Sequence, residues 1–249
     1  MIVLITGGAQ GIGYATAALF AQGAGKVCIF DRQGAAKAAE TLDERAIGVD
    51  GDVTSEADVD LAVAKTIETF GGLDCIVTAA GIVKVEPALD VAADDFAKTL
   101  AVNVTGTFLP ARRAARYMIE HGGGAVITVG SVYGVGGAYH RTSYSASKGG
   151  VHNLTRSLAV EWGPLGIRVN CVAPTGVRTP MVQDLIDRGI YDMEGVKGRT
   201  PLGRIAEPEE VAAAIQFLAS PAASMINGAI LPVDGGWTAN GFPAIRSIQ

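Results

Sequence analysis

Tyr144 and Lys148 stand four residues apart in the stretch YSASK, with only Ser145, Ala146 and Ser147 between them. A phenol titrates near ~10 and is a poor base at neutral pH unless a nearby cation stabilises its phenolate. At helical spacing i, i+4 the two side chains share a face, so the Lys148 ammonium can lower the Tyr144 pKa through charge. The small residues between them leave room for a flat cofactor ring. Taken alone, the pair also describes solvated neighbours on an ordinary helix, which is the commoner case. Two further residues bear on the choice. VITVGS is a strand-like run ending in Ser131, thirteen residues before Tyr144, and a hydroxyl at such a strand end can hydrogen-bond a substrate oxygen. Asn103, in TLAVNVTGTFLP, interrupts an apolar helical stretch. A buried amide needs partners, so Asn103 either satisfies local backbone groups or holds a water that connects to Lys148.

A second cluster suits a dinucleotide. TGGAQGIG, residues 6–13, follows an apolar run and places glycines at Gly7, Gly11 and Gly13. Gly7 permits a tight turn, Gly11 lets the backbone approach a pyrophosphate, and Gly13 lets the next helix pack on the strand. A purely structural turn also uses glycine, so the context decides. KVCIFD ends in Asp31, 18 residues after Gly13. A carboxylate there can accept hydrogen bonds from the adenosine ribose and repel a 2′-phosphate, which favours NAD over NADP. Arg32 argues the other way, since its guanidinium could pair with that phosphate, while Gln10 adds no positive charge to the glycine loop. Asp52, in GDV, can accept from the adenine amino group or cap the helix that begins near Glu56.

These residues need a scaffold, and the hydrophobic pattern supplies one. Strand-length apolar runs recur at Ile2–Thr6, Lys26–Asp31, Ala46–Asp50, Leu73–Thr78, Ala125–Gly130, Ile167–Val172 and Ala229–Val233. Between them, Ala57–Phe70, Asp94–Glu120, Ser143–Trp162 and Pro208–Leu218 carry apolar residues at helical spacing. This alternation predicts an α/β Rossmann fold, a doubly wound seven-stranded parallel sheet with helices on both faces. No linker or repeat divides the chain, so a single domain spanning 1–249 is expected. Residues 175–204 break the rhythm with prolines and glycines, and read as a substrate loop or lid at the edge where open α/β sheets bind ligands. With 49% hydrophobic and 18% charged residues among 249, the composition is globular. A net charge of −5 gives no reason to expect nucleic acid. No apolar stretch approaches the ~20 residues of a membrane span, and the first residues read as a strand and not as a signal peptide, so a cytoplasmic location is expected. Cys28, Cys75 and Cys171 lie far apart in apolar runs, which favours reduced buried thiols over disulfides or a metal site.

The glycine loop, Asp31, Asp52-Val53, Asn103, Ser131, Tyr144-Ser-Ala-Ser-Lys148 and VDGG at 233–236, in this order and spacing, resemble the short-chain dehydrogenase/reductase family over essentially the whole chain. The resemblance implies that Tyr144 is the general acid/base and that Lys148 lowers its pKa and contacts the nicotinamide ribose. It implies that Ser131 orients the substrate oxygen and that Asn103 anchors a relay water. It places the cofactor against Gly7, Gln10, Gly11, Ile12 and Gly13, against Asp31, Arg32, Asp52 and Val53, and against Ala80, Gly81, Val177 and Thr179. Three positions depart from the family pattern. Thr78-Ala79-Ala80-Gly81 replaces the usual Asn-Asn-Ala-Gly, Pro174-Thr175 replaces Pro-Gly, and Gln10 stands where NADP-preferring members often carry a basic residue. Relatives assemble through the helices around Asp94–Glu120 and Ser143–Trp162, so a homotetramer is implied.

Between Ser131 and Tyr144 lies VYGVGGAYHRTS, the stretch expected to face substrate. Arg141 could bind a carboxylate, phosphate or sulfonate, or form a surface salt bridge. His140 reads as a loop residue or substrate contact, and the lid arginines Arg178, Arg188 and Arg199 as solvated or functional. The expected activity is NAD-dependent interconversion of a small secondary alcohol and its ketone. The alternatives are a 3-oxoacyl thioester reductase and a non-catalytic nucleotide-binding protein on the same fold.

Overall fold

In the computed structural model, which describes residues 1–241, the expected strands are β1 (Ile2–Thr6), β2 (Lys26–Asp31), β3 (Ala46–Asp50), β4 (Cys75–Thr78), β5 (Gly124–Val129), β6 (Ile167–Pro174) and β7 (Ile230–Val233). Residues 242–249 of the expected domain lie outside the described residues. The strands form one parallel sheet in the order β3-β2-β1-β4-β5-β6-β7. Their sequences run apolar without alternation because helices cover both faces. Leu4, Ile5, Ile29, Phe30, Ile76 and Ile127 are fully buried in consequence.

The helices are α1 (Gly11–Gln22), α2 (Ala35–Glu40), α3 (Glu56–Phe70), α4 (Ala93–Leu100), α5 (Gly106–Glu120), α6 (Thr142–Trp162), α7 (Pro180–Asp187), α8 (Met193–Arg199) and α9 (Pro208–Ala219). Phe20 of α1, Ala35 and Ala39 of α2 and Ile215 of α9 fill the core on one face of the sheet. Val59 and Val63 of α3, Leu109 and Met118 of α5, and Leu158 and Trp162 of α6 fill the other.

Two segments differ from expectation. The helix expected over Asp94–Glu120 is interrupted by a π turn, Ala101–Thr105, that joins α4 to α5 and contains Asn103. Half of the segment 175–204 is helical. Thr179 caps α7 by accepting from the Val182 N–H, with Pro180 in its first turn, and Asp192 caps α8 by accepting from the Gly195 N–H. Both are ordinary helix-start signals, outweighed in the sequence by the surrounding glycines and prolines.

The strand order places β1 beside β4, so the chain leaves β3 on one side of β1 and returns on the other. That reversal opens a crevice at the carboxyl ends of the strands. The far side is fixed by two asparagines. Asn170 of β6 donates to Ile226 O (2.8 Å) and accepts from Ala229 N (3.0 Å), while Asn227 accepts from Val169 N (2.8 Å) and donates to Ala159 O (3.0 Å). Arg168 reaches from β6 to the end of α9, donating to Leu218 O, Ala219 O and Ser220 O at 2.7–3.2 Å. A cation at a helix C-terminus satisfies orphan carbonyls and complements the helix dipole. Arg168→Met should therefore lower stability by about 2 kcal/mol, read as a fall in the urea midpoint with the slope unchanged.

Candidate active site

The crevice encloses a cavity of about 410 Å³. At one end the chain turns from β1 into α1 through Gly7 and Gly11, whose φ angles of +64° and +56° lie in the left-handed region that glycine tolerates. A Cβ on Gly7 would strike the backbone of Ala80, and a Cβ on Gly13 would strike the Gly7 carbonyl, so the loop closes only with glycine there. No side chain caps α1 and no acid sits in its first turn. Free N–H groups and the positive helix end therefore face the cavity, as a phosphate needs.

Asp31 is held in place at the end of β2, its carboxylate accepting from Ala9 N (3.0 Å) and Arg32 N (2.7 Å). Asp52 accepts from the backbone N–H and hydroxyl of Thr54, which hold its carboxyl below the usual carboxylate range. It is not the helix cap; Ser55 caps α3 by accepting from Asp58 N. A glycine cradle, an uncapped helix and a fixed carboxylate together fit a dinucleotide.

At the other end, α6 presents Tyr144 and Lys148. The Lys148 ammonium lies 5.6 Å from the Tyr144 ring centroid and donates to Val129 O at 2.7 Å. Burial pushes the ammonium down to about 8. Burial also pushes the Tyr144 hydroxyl up to about 12, opposed by the Ser131 hydroxyl and the Arg141 charge. The lowering expected from Lys148 does not contribute to this shift, which desolvation dominates. Ser131 follows β5, and its oxygen accepts from Tyr133 N at 3.2 Å.

Asn103 is fully buried, and its amide is occupied. Oδ1 accepts from Ile82 N (2.8 Å), and Nδ2 donates to Ile82 O (3.0 Å) and to the Ser147 hydroxyl (2.9 Å). Its main-chain carbonyl accepts from the Thr107 hydroxyl at 2.8 Å.

Gly7, Gln10, Gly11, Ile12, Gly13, Asp31, Arg32, Asp52 and Val53 line the cavity, as do Ala80, Gly81, Ser131, Tyr144, Lys148, Val177 and Thr179. Asn103 stands behind this lining. Arg141 stands beside it, its guanidinium 5.5 Å over the Tyr133 ring and donating to Tyr139 O at 3.3 Å. The sequence reading missed Lys98 of α4, and Met181 and Val182 of α7, which also line the cavity. A capped helix start beginning at Thr179 was the available signal for the latter pair. His140 adopts φ +57° in the rim loop, and its carbonyl accepts from Glu86 N at 2.8 Å. Two hydroxyls and an ammonium at the end of a dinucleotide-sized crevice can orient a carbonyl or carbinol oxygen and move its proton.

Comparison with known proteins agrees with this chemistry. Residues 7–238 match the family model described as enoyl-(acyl carrier protein) reductase. The cis-4-hydroxycyclohexanecarboxylate dehydrogenase of Sinomonas cyclohexanicum is 44% identical over 246 residues, covering 96% of each chain. The L-tagatose-forming galactitol 2-dehydrogenase of Cereibacter sphaeroides is 41% identical over 239 residues, 94% of this chain and 93% of that one. Among solved structures, the 3-ketoacyl-(acyl-carrier-protein) reductase of Brucella melitensis complexed with NADH superposes with a TM-score of 0.89 at 34% identity, covering 95% of this chain and 97% of that one.

The buried ammonium has a consequence for stability. Its pKa of about 8 lies below the ordinary 10.5, so between these values the unfolded chain binds the extra proton and the native state does not. Stability from this group is fully present above about 10.5 and is lost as pH falls from there to about 8. Relative to Lys148→Met, which does not titrate, the wild type should gain on the order of 2 kcal/mol between pH 7 and pH 10, measured by urea unfolding at both.

Proposed function

Since the chain belongs to the short-chain dehydrogenase/reductase family, whose members here are nicotinamide-dependent alcohol and ketone oxidoreductases, we propose that it oxidises a small anionic secondary alcohol to the ketone with NAD. The observation that carries this reading is the convergence of Ser131, Tyr144 and Lys148 at one end of the crevice whose other end holds Asp31. A nicotinamide held there would supply the hydride acceptor for the carbinol carbon, or the hydride donor for the ketone.

The chain's own residues do the rest. The Ser131 hydroxyl and Tyr144 Oη grip the reacting oxygen, and Tyr144 Oη takes the hydroxyl proton as the carbon–hydrogen bond breaks. Lys148 supplies the positive charge that stabilises the phenolate and holds the ribose. Asn103 fixes Ile82 and Ser147 around these groups, and in this reading its turn anchors the relay water. Gly7, Gln10, Gly11, Ile12 and Gly13 hold the pyrophosphate, Asp31, Arg32, Asp52 and Val53 the adenosine, and Ala80, Gly81, Val177 and Thr179 the nicotinamide half. Asp31 supports NAD over NADP because its carboxylate repels a 2′-phosphate, and Gln10 offers that phosphate no cation.

The residues from 175 to 204 form the lid, which brings Val177 and Thr179 to the cofactor. Arg141 supports an anionic substrate, since its guanidinium lies against Tyr133, the neighbour of Tyr144. A cytoplasmic homotetramer completes the reading, supported by three buried free thiols and by Val160, 79% exposed on α6. No described helix is long and apolar enough to cross a membrane. A second reading, a 3-oxoacyl thioester reductase, is favoured by the likeness to the Brucella reductase; a non-catalytic nucleotide-binding role is the third.

The test is NADH formation across neutral polyols, hydroxy acids, phosphorylated or sulfonated alcohols and 3-hydroxyacyl thioesters, repeated with NADP⁺. Small anionic alcohols should be oxidised, with NAD⁺ preferred about tenfold or more, a factor of ~1.4 kcal/mol. Tyr144→Phe should abolish turnover while retaining cofactor binding, and Arg141→Ala should raise KM for anions. Thioester turnover with NADP⁺ preferred would overturn the reading.

A further inference from the structure

Beside the catalytic end of the crevice, aromatic rings from distant segments form a row that starts at Tyr144. Tyr133, in the turn after β5, stands edge-on to Tyr144 with centroids 6.3 Å apart, and edge-on to Trp237, beyond β7, at 6.0 Å. Trp237 is set by its own turn. The Asp234 carboxylate accepts from Gly236 N (2.9 Å), Thr238 N (2.8 Å) and the Thr238 hydroxyl (2.6 Å). The same segment is latched to the end of α8, where Asn240 Nδ2 donates to Arg199 O at 2.9 Å.

Two guanidinium groups rest on this aromatic row. Arg141 lies 5.5 Å over Tyr133, and Arg199 lies 4.0 Å over Trp237. Among the described residues, neither has a carboxylate within 4.0 Å. The other arginines near the lid are neutralised: Arg178 by Glu207, Arg188 by Asp184 and Arg204 by Glu210. A guanidinium stacked on a ring keeps its in-plane donors at its edge, in the fork that matches a carboxylate. The aromatic faces between the two arginines offer an apolar surface for a flat or cyclic body. A neutral ring would cover the wall and leave the guanidinium groups to water, and a linear polyol would leave the wall uncovered.

We propose that Arg199, stacked on Trp237, is a specificity-determining residue that selects cyclic secondary alcohols bearing a carboxylate on the side of the ring away from the carbinol. The ring lies along Tyr133 and Trp237, its hydroxyl reaches Tyr144 and Ser131, and its carboxylate meets the Arg199 fork, with Arg141 on the inner side. This rests on the dehydrogenase reading above and adds to it the shape of the substrate and a residue on α8 that reads its charge.

The experiment compares kcat and KM, with NAD⁺, for a hydroxycyclohexanecarboxylate, its methyl ester and its carboxamide in the wild type and in Arg199→Gln, Arg199→Lys and Trp237→Leu. Cofactor affinity and melting temperature are measured for each protein. Arg199→Gln should raise KM for the acid about tenfold, the size of one lost charge-assisted bidentate contact, with kcat, ester turnover and NAD⁺ affinity unchanged. Arg199→Lys should recover part of the loss, because it keeps the charge without the fork. Trp237→Leu should raise KM for acid and ester together. An acid-to-ester ratio of kcat/KM that Arg199→Gln leaves unmoved overturns the proposal, as does a preference for linear polyols over the ring acid. If the wild type oxidises no alcohol with either cofactor, the dehydrogenase reading falls and takes this one with it. Oxidation of neutral alcohols with an unmoved ratio removes only the role of Arg199.

Discussion

The site depends on one buried amide. Asn103 sits in the π turn between α4 and α5, clamps both backbone groups of Ile82 in the loop after β4, and holds the Ser147 hydroxyl inside the Tyr144–Lys148 turn of α6. Three segments that are remote in sequence meet at that side chain. An ordinary α-helical turn at 101–105 would aim the amide elsewhere, so the irregular hydrogen bonding of the helix is what lets it reach two neighbours at once. Removing the amide would leave the Ile82 N–H and carbonyl without partners in a dry environment, at a cost of about 1–3 kcal/mol for each group. The geometry around Tyr144 would loosen with it.

The electrostatics of the crevice follow from the same burial. Lys148 is buried against the Val129 carbonyl and Tyr144 stands beside the Tyr133 ring, and desolvation pushes both toward their neutral forms. Tyr144 is therefore neutral at pH 7, while Lys148, at about 8, keeps most of its charge there and stands ready to stabilise a phenolate when one forms. The nucleotide end works differently, through fixed partial charges. The uncapped start of α1 and the Asp31 carboxylate, tied to Ala9, are set before any ligand enters. Rigid recognition at one end and inducible ionisation at the other share a cavity of about 410 Å³.

Much of this was legible in the sequence because it is written locally. All seven strands fall within a few residues of the apolar runs. Gly7 and Gly11 mark a turn whose backbone conformation nothing else adopts easily, Gly13 marks a close approach to the Gly7 carbonyl, and Tyr144 and Lys148 share a helical face by spacing alone. The features that escaped are those made by residues far apart in the chain. Nothing in the local pattern pairs Tyr133 with Trp237, or Trp237 with Arg199. The helices α7 and α8 are short, and their glycines and prolines look like loop until the caps at Thr179 and Asp192 are weighed. Asp52 offered two roles to the sequence, and Thr54 and Ser55 between them dispose of the capping one. Asn103 was noticed because it is polar among apolar neighbours, yet its partners lie in other segments.

The three thiols are inert for a reason that is useful elsewhere. Cys28 and Cys75 lie inside the sheet with their pKa values pushed up by burial to about 11 and 12, and Cys171 is raised likewise. A thiol that neither meets solvent nor ionises does not react with maleimides or iodoacetamides at neutral pH. The chain therefore comes with a blank background for labelling. A cysteine introduced on the exposed face of α8 would be the single reactive one, and a fluorophore placed there would report on that helix without any need to remove the native thiols first.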